Sequence, residues 1–306
     1  MNFLLDQVLI LLIAVAIDLT VGDPPEKYEN FYPIVWISKL MYFFDERTER
    51  GNPKKEKALG LIFCVVIISI FSIPCLMLYL LSSEPVYIIL SALIFKMTFT
   101  INGLKRYARS TMIDDVEKKR NAVSKIVSRD TTNLNEYQLN SATIESIAEN
   151  MTDSVVSPLF YFVFFGLFGA MVYRVVNTLD AVVGYKNNRY INIGWFSARL
   201  DDLMNYIPKR ISSFLIYGGN IPDIGAKNLV KPEIVAISYK LKVNLEKKDH
   251  YIVGAEFESP KEEDISRAIY IIKLRSIIFT FICMLALLML YLGGWTWLNR
   301  EVLYLI

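Results

Sequence analysis

The 306-residue chain contains one histidine, three cysteines and no run of a single charge sign. A lone histidine cannot build an H-E-x-x-H zinc site, and a histidine-based triad would have to rest on His250 alone. No cysteine sits near it in sequence, so His250 reads as a solvated loop residue. Cys64, Cys75 and Cys283 fall inside apolar stretches at no metal-ligand spacing, which reads as small hydrophobes in helix contacts. No G-x-x-x-x-G-K-[ST] occurs; from Gly219 to Lys227 the glycine spacing is wrong and Ala226 separates Gly225 from Lys227. G-x-G-x-x-G is missing too, so any ATP is bound without a P-loop or a dinucleotide fingerprint. The net charge of +2 leaves no electrostatic footprint for nucleic acid, and no such partner is expected. Carboxylates, lysine, arginine and backbone are what remain to carry chemistry.

What the chain has in excess is apolar residues. They make up 54% of it, with a mean hydropathy of +0.35, against about 45–50% in ordinary soluble domains. The excess is concentrated in blocks at about 3–19, 58–81, 85–104, 155–176 and 276–298. A bilayer core of about 30 Å takes roughly 20 apolar residues in a helix, so the expected fold is all-α, a multi-spanning helical integral membrane protein with cytoplasmic helical segments. The first block lacks a basic leader and an A-x-A-like cleavage site and carries Asp6 and Asp18, so it reads as a retained span. The whole of 1–306 reads as one membrane-embedded domain, with polar segments at 20–57, 105–154 and 177–275. Within 105–154, Val116, Ala122, Val123, Ile126 and Val127 suit one helix face. Asn135 with Gln138 forms a capping box that opens a second helix with Leu139, Ala142, Ile147, Ala148 and Met151 buried.

Basic residues set an orientation. They crowd the segments after the first and third blocks and are absent from the 82–84 link, which places those segments in the cytoplasm and the link outside. Lys96 inside the third block is expected to face protein or water. A full crossing by 155–176 would put the lysine-rich 177–275 section outside. Pro158, Gly166 and Gly169 offer a re-entrant hairpin that returns to the cytoplasmic side instead.

Three clusters can carry chemistry. Glu145, Glu149 and Asp153 recur at i, i+4, i+8 with Asn150 adjacent. Like charges at that spacing need a cation opposite, and Mg²⁺ held by Glu149 and Asp153 is one candidate; a solvated acidic face is the plainer one. Arg174, Asn177 and Asp180 form the second cluster, with Arg174 in an apolar block, either functional or snorkelling from a span end. The third runs through Lys186, Arg189, Arg199, Asp201, Asp202 and Asn205, where mixed charge also suits an ordinary surface. On a helix Arg199 and Asp202 are i, i+3 neighbours, so Asp202 is expected to orient Arg199 while Asp201 points about 100° away.

These same residues carry a resemblance. Asp18-Leu-Thr-Val-Gly22-Asp23-Pro24, Glu145-Ser-Ile-Ala-Glu149-Asn150, Tyr173-Arg174-Val-Val-Asn177-Thr178-Leu179-Asp180, Val183-Gly184-Tyr185-Lys186-Asn187 and the stretch from Gly194 through Arg199, Asp201, Asp202 and Asn205 to Pro208 follow in order. Together they resemble the adenosylcobinamide-phosphate synthase family, the cobalamin biosynthesis proteins of the CobD/CbiB type. The likeness covers about residues 14–212 and weakens beyond, and Tyr32-Pro33 stands where the family usually shows His-Pro. It implies ATP- and Mg²⁺-dependent amide ligation of adenosylcobyric acid with (R)-1-amino-2-propanol or its O-phosphate. The corrinoid is then substrate rather than cofactor, and association with other membrane proteins of corrinoid assembly is expected. Under this resemblance Glu145, Glu149, Asp180, Asp201 and Asp202 are the expected catalytic carboxylates. Asp23, Asn150, Arg174, Asn177, Lys186 and Arg199 are the expected substrate- and nucleotide-binding residues, and Glu149 with Asp153 the Mg²⁺ ligands. Two other readings compete: a membrane-embedded Mg²⁺–diphosphate transferase, whose aspartate spacing Asp180, Asp201 and Asp202 do not reproduce, and a non-catalytic corrinoid scaffold or transporter, for which paired hydrophobic repeats are missing.

Overall fold

The computed structural model describes residues 3–23, 28, 30, 32–81, 83–222 and 230–293. Pro24 and Pro25, Ser82, residues 223–227 of the divergent stretch and 294–298 of the last apolar block lie outside the described residues. In chain order the helices are α1 (Phe3–Thr20), α2 (Pro33–Glu46), α3 (Pro53–Leu81), α4 (Glu84–Lys96), α5 (Asn102–Arg109) and α6 (Val116–Val123). There follow α7 (Glu136–Met151), a π-helical turn (Thr152–Val156), α8 (Ser157–Val183), α9 (Trp195–Met204), α10 (Tyr206–Tyr217) and α11 (Pro232–Leu241). A small antiparallel hairpin, β1 (Leu245–Lys247) with β2 (Tyr251–Val253), precedes α12 (Glu262–Leu292). His250 sits exposed at the hairpin turn. The protein is an all-α membrane protein, and among the described residues three helical stretches are long and apolar enough to cross a bilayer: Pro53–Leu80, Glu136–Val183 and Glu262–Leu292.

The chain divides into two compact units: residues 1–99, 157–206 and 281–306, and residues 100–156 and 207–280. In the first unit α1 packs on α4, and α8 packs on α2, α3 and α9. Its core includes the stacked rings of Phe95 and Phe162, 3.9 Å apart, and the half-buried rings of Phe44 and Phe63 stack at 4.7 Å. The apolar block at 85–104 is not one helix. Helix α4 has 13 residues, about 20 Å at 1.5 Å per residue, and ends where Lys96 is buried between Asp18 (3.0 Å) and Asp23 (2.8 Å). Thr98 then spends its hydroxyl on the Phe95 carbonyl. Cys64, Cys75 and Cys283 are free thiols in buried positions, as small hydrophobes would be.

Helix α8 reverses. Gly166 stands at φ 60°, ψ −153°, a conformation essentially reserved for glycine. Tyr161 and Tyr173 would be about 18 Å apart along a straight helix, yet their rings stack at 5.5 Å. Ser157 Oγ and Tyr173 OH both donate to Asn205 Oδ1, at 2.7 and 3.1 Å. The fold-back needs a second glycine, because a Cβ on Gly169 would strike the Tyr161 carbonyl and the Phe165 side chain.

The second unit is built around α7, which is buried along nearly its whole length. Its capping box is present: Asn135 Oδ1 accepts from the Gln138 N–H and Gln138 Oε1 from the Asn135 N–H. Val123, Leu134, Leu139 and Ala142 form a core with Val116 and Val127 against it. The β1 strand is stitched to α7 by Ser141 Oγ, which accepts from the Glu246 N–H and shares its one proton between the Glu246 carbonyl and Glu145.

Gly166→Ala adds a Cβ at a φ/ψ that L-residues avoid, and strain of this kind costs about 1–3 kcal/mol. The purified variant is expected to melt several degrees below the parent in the same detergent; an unchanged melting temperature would show that α8 does not turn on this residue.

Candidate functional site

The acidic row on α7 meets cations supplied by the protein. Glu145 is 3% exposed, pairs with Arg129 and accepts from Ser141 Oγ, so a solvated acidic face does not describe it. Glu149 pairs with Lys231 at 3.3 Å. Asp153 falls in the π turn, a feature frequent at functional sites. It remains electrostatically coupled to Lys231 and to Glu233 on α11. Neighbouring atoms partly desolvate the Lys231 ammonium, whose side chain is 46% exposed, but the charges of Glu149, Asp153 and Glu233 outweigh this and hold it above its ordinary value. Burial also raises the Tyr251 hydroxyl, reinforced by the charges of Glu145 and Glu149.

Glu233 is the most constrained of these groups. It is buried, with Oε2 making no hydrogen bond among the described residues. Burial pushes its carboxyl up to about 8, against the pull of Lys231 and Lys209 and with a further push from Asp153. Among the described residues no three His, Cys, Asp or Glu side chains converge to hold a metal ion. Glu149 and Asp153 therefore offer at most two carboxylates, a number that suits Mg²⁺ completed by water and phosphate oxygens. Asn150 stands off this row. Its Nδ2 donates to the Ser146 carbonyl at 2.8 Å, and it lines a cavity of about 330 Å³ with Leu104, Tyr107, Lys125 and Ile126.

In the first unit the second and third clusters merge in part. Arg174 is 8% exposed and donates to Asn177 Oδ1 at 3.3 Å, so it does not snorkel. Asn177 Nδ2 donates to Asp201 Oδ1 at 3.4 Å and Asn205 Nδ2 to Asp201 Oδ2 at 3.0 Å. A buried aspartate held by two amides links α8 to α9, and the same Asn205 takes the hydroxyls of Ser157 and Tyr173. Asp180 lies one turn beyond Asn177, against Gly184, where any Cβ would collide with its carboxylate. Gly194 is required for a similar reason, since a Cβ there would strike the Val183 carbonyl.

Lys186, Arg199 and Asp202 are exposed instead. Arg199 makes no hydrogen bond or ion pair among the described residues, so Asp202 does not orient it as the i, i+3 spacing predicts. A pair of exposed charges gains little from being held together. Asp23 is a ligand of the Lys96 ammonium, with Asp18.

Several groups escaped the sequence reading. Arg129, Lys231 and Glu233 neutralise or confront the acidic row, and Asp45 and Glu56 are buried carboxylates paired with Arg50 and Arg189. They belong to no motif and are brought in from distant segments. The one available signal was Lys231-Pro232-Glu233, a charged pair straddling a helix-opening proline.

A family described as CobD/Cbib protein matches residues 11–272. The chain belongs to the CobD/CbiB family. It is 44% identical over 275 residues to the probable cobalamin biosynthesis protein CobD of Thermococcus kodakarensis, covering 85% of this chain and 89% of that protein. Its identity to the probable cobalamin biosynthesis protein CobD of Pyrococcus furiosus is 41%, over 84% of this chain and 90% of that one. The cobalamin biosynthesis protein CobD of Dehalococcoides mccartyi is 33% identical, over 88% and 93%. No solved structure matches. The family likeness thus runs well past residue 212, where the motifs fade, and takes in Lys231, Glu233 and the hairpin of this CobD/CbiB protein.

Glu233 has an ordinary carboxyl value of 4.5 when unfolded and about 8 in the fold. Between those values the folded chain holds the extra proton, so this group's contribution to stability falls as pH rises from about 4.5 to about 8. Glu233→Gln stays neutral throughout. Its melting temperature is expected to drop less between pH 5 and pH 8 than the parent's, and parallel curves would remove Glu233 as the cause.

Proposed function

We propose that this protein acts in cobalamin biosynthesis as an amide-forming ligase, joining the free propionate carboxylate of adenosylcobyric acid to (R)-1-amino-2-propanol or its O-phosphate with ATP and Mg²⁺. The observation that carries this reading is the family match over residues 11–272, which takes in every motif holding the acid and cation clusters.

A carboxylate is a poor acyl donor because it is anionic and resonance-stabilised. In the proposed reaction a propionate oxygen attacks the γ-phosphorus of ATP, the bond to the β-phosphate oxygen breaks and ADP leaves. The amine nitrogen then attacks the carbonyl carbon of the acyl phosphate and loses a proton. The bond to the phosphate oxygen breaks, leaving amide and inorganic phosphate. This chemistry asks a protein for positioned charge more than for covalent help, which accords with a chain whose three cysteines are buried and whose one histidine is exposed. In the first unit, exposed Arg199 and Lys186 have the donors for phosphate oxygens, and the planar fork of Arg199 suits them bidentately. Asp201, held by Asn177 and Asn205, fixes the α8–α9 junction beside Arg174. In the second unit, Glu149 and Asp153 would hold Mg²⁺ and Lys231 would keep the remaining negative charge in balance. When bound, Mg²⁺ would neutralise charge developing on the phosphate oxygens.

We place the active site on the cytoplasmic face, where ATP is, with α8 entering the membrane and returning at Gly166. A reporter fused after Asn188 is expected to score as cytoplasmic, and a clear external signal there would overturn both statements.

The reaction itself is tested by supplying the purified protein with adenosylcobyric acid, ATP, Mg²⁺ and either amine, and following the amide product. Glu149→Gln keeps shape and removes charge. Its expression should hold while turnover falls by about 10²-fold or more, the scale of a lost electrostatic contact. Turnover equal to the parent's would assign Glu149 to the fold alone, and no product with either amine would reject the ligase reading.

A further inference from the structure

A cavity of about 650 Å³ opens in the first unit at the end of α2, the loop that follows it and the 184–194 loop. That volume falls within the usual range of small-molecule sites. Neither Arg174, Asn177 nor Asp201 lines it, and of the third cluster only Arg189 does.

Its wall is constructed from buried charge. Asp45 is 2% exposed, and two arginines divide its carboxylate. Arg50 donates to Oδ1, and Arg189 donates to Oδ2 from Nε at 3.0 Å and Nη2 at 2.7 Å. Glu56, also buried, accepts from the Gly51 N–H at 2.9 Å and from Asn192 Nδ2 at 3.2 Å. Both guanidiniums are partly exposed, so the ion cluster faces the open space of the cavity. Each guanidinium has five N–H donors, and the contacts above leave several of them unspent on partly exposed side chains. Asn188, on the rim, is exposed and makes no hydrogen bond among the described residues.

Charge selects among the ligands of the proposed reaction. Asp45, Glu46 and Glu56 face Arg50 and Arg189, so the lining carries one net negative charge. A nucleoside triphosphate, or the dianionic phosphate of an aminoalcohol, meets that charge unfavourably. Free aminopropanol has too few atoms to fill the space. A neutral group that both donates and accepts, repeated along one edge of a large ligand, matches a lining of alternating carboxylates, guanidiniums and amides. The carboxamide is such a group. We propose that this cavity binds the carboxamide-bearing rim of the corrinoid substrate, with amide N–H groups directed to carboxylates and amide carbonyls to Arg50 and Arg189. The inference rests on the corrinoid ligase reading above and assigns it a binding site.

Cobyric acid serves as the probe, because corrin absorbance reports binding to the full chain in detergent without ATP or turnover. The parent protein is expected to bind it in equilibrium dialysis. Asn188→Trp fills the cavity from an exposed loop position and is expected to weaken binding by about tenfold or more, with the melting temperature unchanged. A second measurement does not depend on that variant folding. In Asn188→Cys the new thiol is exposed while the three native thiols are buried, so maleimide labelling reports on the cavity, and cobyric acid should slow it. If the parent binds cobyric acid but labelling of Asn188→Cys proceeds at the same rate with and without it, the cavity is not the corrinoid site and the ligase reading stands. If the parent binds no cobyric acid at all, the ligase reading fails and this inference with it.

Discussion

An ammonium placed among apolar helices must be neutralised where it stands, since neither lipid nor a dry interior will solvate it. Lys96 meets that demand with two carboxylates, Asp18 from the end of α1 and Asp23 just beyond it. Much of the first unit follows from this arrangement. It ends α4 after 13 residues, fixes the exit of α1, and brings the last turn of α4, with Phe95, against Phe162 of α8. The family motif at residues 18–24 is thus explained in part as one half of a buried ion cluster. Removing Lys96 would leave two carboxylates without their cation, which is far costlier than never having placed them there.

The same rule, applied outside the apolar segments, organises the second unit. Three acids on one helix side are tolerable only with cations opposite, and Arg129 and Lys231 supply them. Lys231 answers both Glu149 and Asp153, and it also lies beside Glu233, whose burial leaves it near the edge of ionisation at neutral pH. The Asp201–Asn177–Asn205 network differs in kind, since amides rather than cations hold its carboxylate and join α8 to α9.

Legibility in the sequence followed the range of each interaction. The capping box at Asn135 and Gln138, the buried stripe of α7 and the burial of the cysteines are local or compositional, and the pattern showed them. The glycines at 166 and 169 signalled a break, and the fold turns there. Partners of the charged residues were not legible. Arg129 reaches Glu145 across 16 residues, Arg189 reaches Asp45 across 144, and nothing in spacing announces either. Local spacing also misled: Arg199 and Asp202 are a turn apart on α9, but exposed charges gain too little from pairing to be held together.

The sequence by itself determined that the protein is helical, membrane-embedded and a member of the CobD/CbiB family, because hydrophobic length and ordered motifs are one-dimensional properties. It also determined which residue types were left to carry chemistry. Only the tertiary structure decided which of those residues are braces and which remain available: Asp23, Asn177 and Asp201 are consumed by neighbours, Lys186 and Arg199 are not, and a polar cavity at Asp45 belongs to no motif. The reason is that burial and pairing set the state of a charge, and both are fixed by segments far apart in the chain that meet only when it folds.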